Sequence, residues 1–146
     1  YAYMHEKGWI HKDIKPDNIL MTKGSEVRVI DFSLASKPDS AVGRMMTKKS
    51  NIAIQGTRTY IAPELIKRER LTPAADIYSL GVTFYECLTG RPVFTGTNPN
   101  KLLMSHIQEK PAKPSEYHKN ISPQADALIA KMLAKNPKDR QGSMQE

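Results

Sequence analysis

The spacing of apolar and polar positions changes character several times along the chain. Residues 1–7 carry helical spacing, and Gly8 suits the left-handed residue that ends a helix. No capping residue precedes Tyr1, so this segment reads as the last two turns of a longer helix. Trp9 and Ile10 make a brief extended step. Pro16 has no backbone N–H and steers Lys15 away from helical angles, so residues 13–18 are expected to form a fixed irregular loop. Ile19, Leu20 and Met21 then predict a short buried strand. A turn over 23–26 and a second strand over 27–30 follow, and the second strand runs straight into Asp31 and Phe32. Such a hairpin delivers Asp13, Asn18 and Asp31 to one end, a charge cluster suited to a cation and a phosphate.

Residues 34–55 show no clean period and carry Ser36, Ser40, Thr47 and Ser50 among basic residues, as a mobile loop does. The second half is helical. Thr72 as N-cap, Pro73 in the first turn and Gly90 as the stop bound a central helix. Within it Ile77, Leu80, Phe84 and Leu88 recur at three- or four-residue steps and predict one buried face. A further helix is expected over 98–109, with Leu102, Leu103, His106 and Ile107 on one side. His106 reads there as a surface or edge-of-core residue. Residues 110–120 form a proline-interrupted linker. Ser122 and Pro123 open a last helix to about residue 134, burying Leu128, Ile129, Met132 and Leu133, and Asn136 and Pro137 stop it. The fold class is α+β, predominantly α, with short β hairpins. No repeat or low-complexity segment is present.

Bulk properties narrow this little further. At 146 residues the chain makes one domain at most, with 39% hydrophobic and 25% charged residues. Its one cysteine, Cys87, excludes an internal disulfide and suits a reducing compartment. No apolar run is long enough to cross a bilayer, because Glu86 interrupts the best candidate, and no signal peptide is visible. A cytoplasmic location is expected for this stretch. The net charge of +7 comes from scattered lysines and arginines, with short clusters at Lys48-Lys49 and Lys67-Arg68. Without interleaved aromatics to stack bases, it reads as a solvated surface, and no nucleic-acid partner is expected.

Three runs in order carry a resemblance: HKDIKPDN from His11 to Asn18, DFS from Asp31 to Ser33, and GTRTYIAPE from Gly56 to Glu64. With DIYSLG (Asp76 to Gly81) and Arg140 behind them, the chain resembles the C-terminal lobe of eukaryotic-type serine/threonine protein kinases, in the compact style of bacterial members. The resemblance implies a partial kinase domain over 1–146, truncated at both ends, with the activation segment at about 31–64. The glycine-rich loop, strand lysine and helix glutamate of the missing N-lobe, a partner in cis, lie outside it.

The resemblance implies γ-phosphoryl transfer from ATP, through Mg2+, to Ser or Thr hydroxyls of protein substrates. It makes Asp13 the base that accepts the hydroxyl proton and Lys15 the point charge beside the γ-phosphate. Asn18 and Asp31 become the metal ligands, and Thr57 the residue touching Asp13 and Lys15. It also implies that Glu64 pairs with Arg140, that Asp76 accepts amides of the catalytic loop, and that Glu86 faces basic substrate residues in some members. His11 packs structurally near Phe32. Taken without the family, Asp13 and Asp31 could cap nearby amides, and Asn18 and Glu86 could be ordinary turn and surface residues.

Two departures stand out. Lys12 replaces the arginine that clamps an activation-loop phosphate and lacks its bidentate fork, which weakens control through Thr47 or Ser50. Ser33 replaces a glycine and is expected to resist positive φ there, stiffening the loop. The rival reading is a pseudokinase or scaffold lobe used for protein binding, and this stretch alone is expected to be inactive.

Overall fold

The computed structural model describes residues 1–37, 58–96 and 98–145. The expectations for Ser40, Thr47, Ser50, Gly56 and Thr57 fall outside these residues. The chain opens with α1 (Ala2–Glu6), and Gly8 follows at φ 77, as its position predicts. A single 3-10 turn, Pro16–Asn18, precedes β1 (Ile19–Met21) and β2 (Val27–Val29). Lys15 is extended at φ −158 and ψ 164, the conformation a following proline demands. The strands pair antiparallel with Ile19 opposite Val29 and Met21 opposite Val27. The ribbon is not buried as expected: Leu20 and Met21 are exposed. A two-stranded sheet has no second layer of its own to cover its outer face.

After the 3-10 turn Arg58–Tyr60 comes α2 (Pro63–Lys67), with proline at its first position and Arg68 left-handed at its end. The linear pattern did not predict α2, which is too short to show a period. The long helix α3 (Ala74–Thr89) is the centre of the core, and Gly90 closes it at φ 66. Its N-cap is Pro73, not Thr72, and no side chain caps it; the Thr72 carbonyl nevertheless accepts the Ala75 amide. Next come α4 (Pro99–Gln108), capped by the Asn98 side chain on the Asn100 amide, and the short α5 (Pro114–Tyr117). That last helix lies inside the expected linker, where Pro114 occupies a first-turn position. α6 (Pro123–Met132) is capped by Ser122 through the Ala125 amide, and the 3-10 turn Pro137–Asp139 follows.

The core joins Ile77, Tyr78, Val82 and Tyr85 of α3 to Ile129, Met132 and Leu133. This corrects two predicted faces. Ile77 is buried and Leu80 half-buried, but Phe84 and Leu88 are exposed, because the covered face turns toward Tyr78, Val82 and Tyr85. Both tyrosines are easily counted as edge residues in a pattern of aliphatics, yet both are fully buried in the core. In α6 the buried residues are Ile129 and Met132; Leu128, one step of about 100° away, is exposed. α3 and α6 approach closely at Gly81, where a Cβ would lie 2.7 Å from the Met132 Cβ.

Candidate active site

The site sits where the loop 11–18, the hairpin and the start of α3 meet. Asp76, in the first turn of α3, is fully buried and accepts three hydrogen bonds. The His11 amide donates to its Oδ2 at 2.8 Å, the Lys12 amide to its Oδ1 at 2.9 Å, and the His5 Nε2 lies 2.8 Å from Oδ2. Asp76 is therefore the expected tether of the loop, and it also holds the end of α1 through His5, a contact that no local pattern marks. Lys12 sits at φ 71. An L residue in that region is strained, and the Asp76 carboxylate on its amide is what holds it there. Half-burial lowers the Lys12 ammonium from its ordinary range, with Asp76 opposing the shift.

His11 is buried, and its ring lies 5.1 Å from that of Phe32, centroid to centroid. Its Nδ1 accepts the Asp13 amide at 3.3 Å, and its Nε2 lies 3.3 Å from the Ile30 carbonyl, so the arrangement suits the Nε2–H tautomer. Both nitrogens are occupied by backbone, which makes His11 a strut between the loop and the end of β2. That agrees with its expected structural role.

Asp13 is nearly buried. Its Oδ2 accepts from Lys15 Nζ at 2.7 Å and from Asn18 Nδ2 at 3.2 Å. Asn18 Nδ2 also donates to the Asp13 carbonyl at 2.8 Å, which fixes the amide orientation and leaves the Asn18 side-chain oxygen as its acceptor end. The Ile30 amide donates to the Asn18 carbonyl at 3.0 Å, so β2 is locked to the loop one residue before Asp31. The Lys15 ammonium is raised above its ordinary range, first by its hydrogen bond to Asp13 and then by the charges of Asp13, Asp17 and Asp31. The structure thus joins Asp13, Lys15 and Asn18 directly, and brings Asp31 to the same end of the hairpin.

Asp31 is exposed at φ 59. Ser33 does not occupy the left-handed region, in keeping with the resistance to positive φ expected of it, and the left-handed residue is Asp31. The Ser33 hydroxyl and amide both donate to Asp31 Oδ1, and these bonds hold the carboxyl below its usual range, with Lys15 and His11 adding to the shift. As a donor set, one carboxylate and one oriented amide oxygen fit a hard cation such as Mg2+, which keeps several waters and shares phosphate oxygens. Among the described residues no group of three or more His, Cys, Asp or Glu could hold a metal alone.

Two further ties hold the tail of the segment over 31–64 to the helices. Glu64 and Arg140 form a buried bidentate pair at 2.7 and 2.9 Å, as the sequence led one to expect. Tyr60 donates its hydroxyl to Glu86 Oε2 at 2.6 Å, which the sequence did not reveal. Burial and then this bond push the Tyr60 phenol up. His106 corrects its expected place at the surface: it is fully buried. Its Nδ1 lies 3.0 Å from the Tyr78 hydroxyl, and its ring stands edge-on to Phe94. An aromatic box with a hydroxyl partner makes burial of an imidazole tolerable, and the i+4 spacing on α4 does not disclose it.

The family model for the protein kinase domain matches residues 1–146. Serine/threonine-protein kinase PknB of Mycolicibacterium smegmatis is 39% identical over 138 residues, covering 94% of this chain and 22% of the relative. The probable serine/threonine-protein kinase SCO3848 of Streptomyces coelicolor is 39% identical over 145 residues, covering 99% and 21%. PknB of Mycobacterium tuberculosis is 38% identical over 138 residues, covering 94% and 22%. The chain spans about a fifth of the length of these curated relatives.

Proposed function

The chain belongs to the protein kinase domain family, and from that premise we propose that it carries the phosphoryl-transfer site of a serine/threonine protein kinase. Its substrates are Ser or Thr hydroxyls of proteins, and its cofactors are ATP and Mg2+. The observation that carries this reading is the pair of contacts on Asp13: a nearly buried carboxylate with Lys15 Nζ at 2.7 Å and Asn18 Nδ2 at 3.2 Å on one oxygen. A carboxylate needed only as a loop cap has no use for a lysine at that distance. The names of the relatives, all serine/threonine-protein kinases, support the same reading.

Bound ATP with Mg2+ supplies the transferable γ-phosphoryl group and neutralises its charge. Asp13 orients the attacking hydroxyl and accepts its proton, a contribution of about 10²–10⁴ in rate. Lys15 sets a positive charge beside the transferring oxygens, as its closeness to Asp13 allows. Asn18 and Asp31 would hold the metal through hard oxygens. Thr57 is assigned to contact Asp13 and Lys15, and Glu86 to face basic substrate residues, on the resemblance alone. Residues 1–146 contain no glycine-rich phosphate loop, so turnover by this stretch alone is expected to be negligible. A cytoplasmic place for this stretch, where ATP is supplied, belongs to the same proposal. No helix among the described residues is long and apolar enough to cross a membrane.

The test is ATP-dependent phosphorylation of a generic Ser/Thr substrate by the full-length protein beside Asp13→Ala, each with and without Mg2+. Loss of activity in the variant and without metal is the expected result. Silence from a folded wild-type protein would move the reading to a scaffold lobe.

A further inference from the structure

Ser33 makes a contact that a glycine in its place has no atoms to make. Its Oγ donates to Asp31 Oδ1 at 2.6 Å, and its backbone N–H donates to the same oxygen at 3.2 Å. Both bonds fall on Oδ1, and among the described residues none falls on Oδ2. Asp31 is exposed and its backbone is left-handed at φ 59. A surface aspartate in that conformation has little packing to choose among its rotamers, so the hydrogen bonds from Ser33 must set the direction of the carboxylate. The ring of Phe32 leans on His11 at 5.1 Å and anchors the residue between them.

We infer that Ser33 is a positioning residue for the metal site: its hydroxyl holds the Asp31 carboxylate with Oδ2 turned to a divalent cation before nucleotide arrives. This rests on the reading of Asp31 as a metal ligand. Two effects of the hydroxyl oppose each other. A hydrogen bond draws charge from the carboxylate and weakens it as a donor, in line with the lowered basicity of Asp31. The same bond removes the need to freeze a mobile side chain when the cation binds. For Ser33 to favour the cation, the gain in orientation must exceed the loss of charge, and the serine variants measure the difference between the two. A hydrogen bond to an ionised group is among the stronger ones, so its removal is readable even at the surface.

The experiment titrates Mn2+ by electron paramagnetic resonance into the full-length protein with a non-hydrolysable ATP analogue present. Wild type is compared with Ser33→Ala, Ser33→Thr and Asp31→Asn. Ser33→Ala is expected to weaken Mn2+ binding about three- to tenfold. Ser33→Thr, which keeps the hydroxyl, stays near wild type, and Asp31→Asn loses more than either serine variant. Binding by Ser33→Ala that equals or exceeds wild type, with Asp31→Asn weakened, overturns the role of Ser33 and leaves the ligand assignment standing. A Ser33→Thr variant as weak as Ser33→Ala overturns it too, since the hydroxyl would then not be the cause. Unchanged binding in Asp31→Asn removes the ligand assignment and the inference with it. Because Ser33 is exposed, none of its variants threatens the fold.

Discussion

Removing the carboxylate of Glu64 is the severest single change the structure offers outside the active site. The Arg140 guanidinium is 0% exposed and Glu64 1%. Two parallel bonds of 2.7 and 2.9 Å join them, and the remaining Arg140 donors reach the carbonyls of Ala134 (2.8 Å), Ala74 (2.7 Å) and Lys135 (3.2 Å). An arginine cannot shed its proton inside a protein, so Glu64→Ala leaves a buried positive charge held only by neutral carbonyls. Two unit charges about 4 Å apart at an effective dielectric of about 20 attract by about 4 kcal/mol. Measured losses on breaking one side of such pairs run to about 3–5 kcal/mol. Against a whole stability of about 5–15 kcal/mol, that is enough to unfold a marginal domain. Urea unfolding of the full-length protein, followed by circular dichroism, measures the loss. Glu64→Gln keeps the shape and one acceptor and should lose less. Replacing both partners, Glu64→Leu with Arg140→Met, should recover much of the single-variant loss, because no charge is then stranded. A loss under about 1 kcal/mol for Glu64→Ala, with the double variant no better, would refute the reasoning.

Three other outcomes follow from the same geometry. Gly81→Ala drives a Cβ to 2.7 Å from the Met132 Cβ, where α3 and α6 touch, and should destabilise by about 1–3 kcal/mol in the same unfolding assay. Asp13→Asn keeps the shape that Lys15 and Asn18 bind but cannot accept a proton; kcat should fall about 10²–10⁴-fold with little change in melting temperature. His106 is buried beside the Lys135 ammonium, and burial first, then that charge, lower its pKa to about 4. Unfolded histidine titrates near 6.5, so between about pH 6.5 and 4 the unfolded chain binds a proton that the folded chain refuses. The His106 contribution should therefore be constant above about pH 6.5 and cost up to about 3 kcal/mol on the way down to pH 4, and His106→Asn removes that part of the slope.

Short-range constraints were legible in the sequence, and long-range ones only where the family pattern named them. Thr72 did not cap α3, but Pro16 set Lys15 extended, Gly8 and Gly90 ended helices in left-handed conformations, and Ser122 capped its helix. Each of these follows from one residue acting on its neighbours. The Glu64–Arg140 and Asp76–amide contacts span more than 60 residues and entered through resemblance. Burial was misjudged where a helix face is chosen by its partner: Phe84, Leu88 and Leu128 fit a periodic stripe but are exposed, and Tyr78, Val82 and Tyr85 join the expected Ile129 and Met132 in the core. A period gives a helix its stripe, and only the neighbour decides how far around the stripe is rotated. His106 was misplaced for a related reason, since an imidazole is classed as polar until an aromatic box and a hydroxyl are found around it.

The site residues themselves occupy weakly structured chain: a 3-10 turn, a loop and the exposed end of a two-stranded ribbon. The bonds within the loop fix Asp13 against Lys15 and Asn18, but do not tie the loop to the core. What ties it there is α3, whose first turn places a fully buried carboxylate against two consecutive amides of the loop. That carboxylate holds Lys12 at a positive φ, which turns the chain so that the next residue, Asp13, faces Lys15 and Asn18. Rigidity is thus lent by the most buried helix to the least regular segment, through one side chain. It follows that Asp76→Asn should harm catalysis more than folding: the amide retains one acceptor oxygen for either His11 or Lys12, but cannot accept from both while also meeting His5. The expected signature is a fall in kcat with the unfolding midpoint shifted far less than in Glu64→Ala. Equal damage to both would mean that Asp76 serves the core alone, and that the loop is positioned by something else.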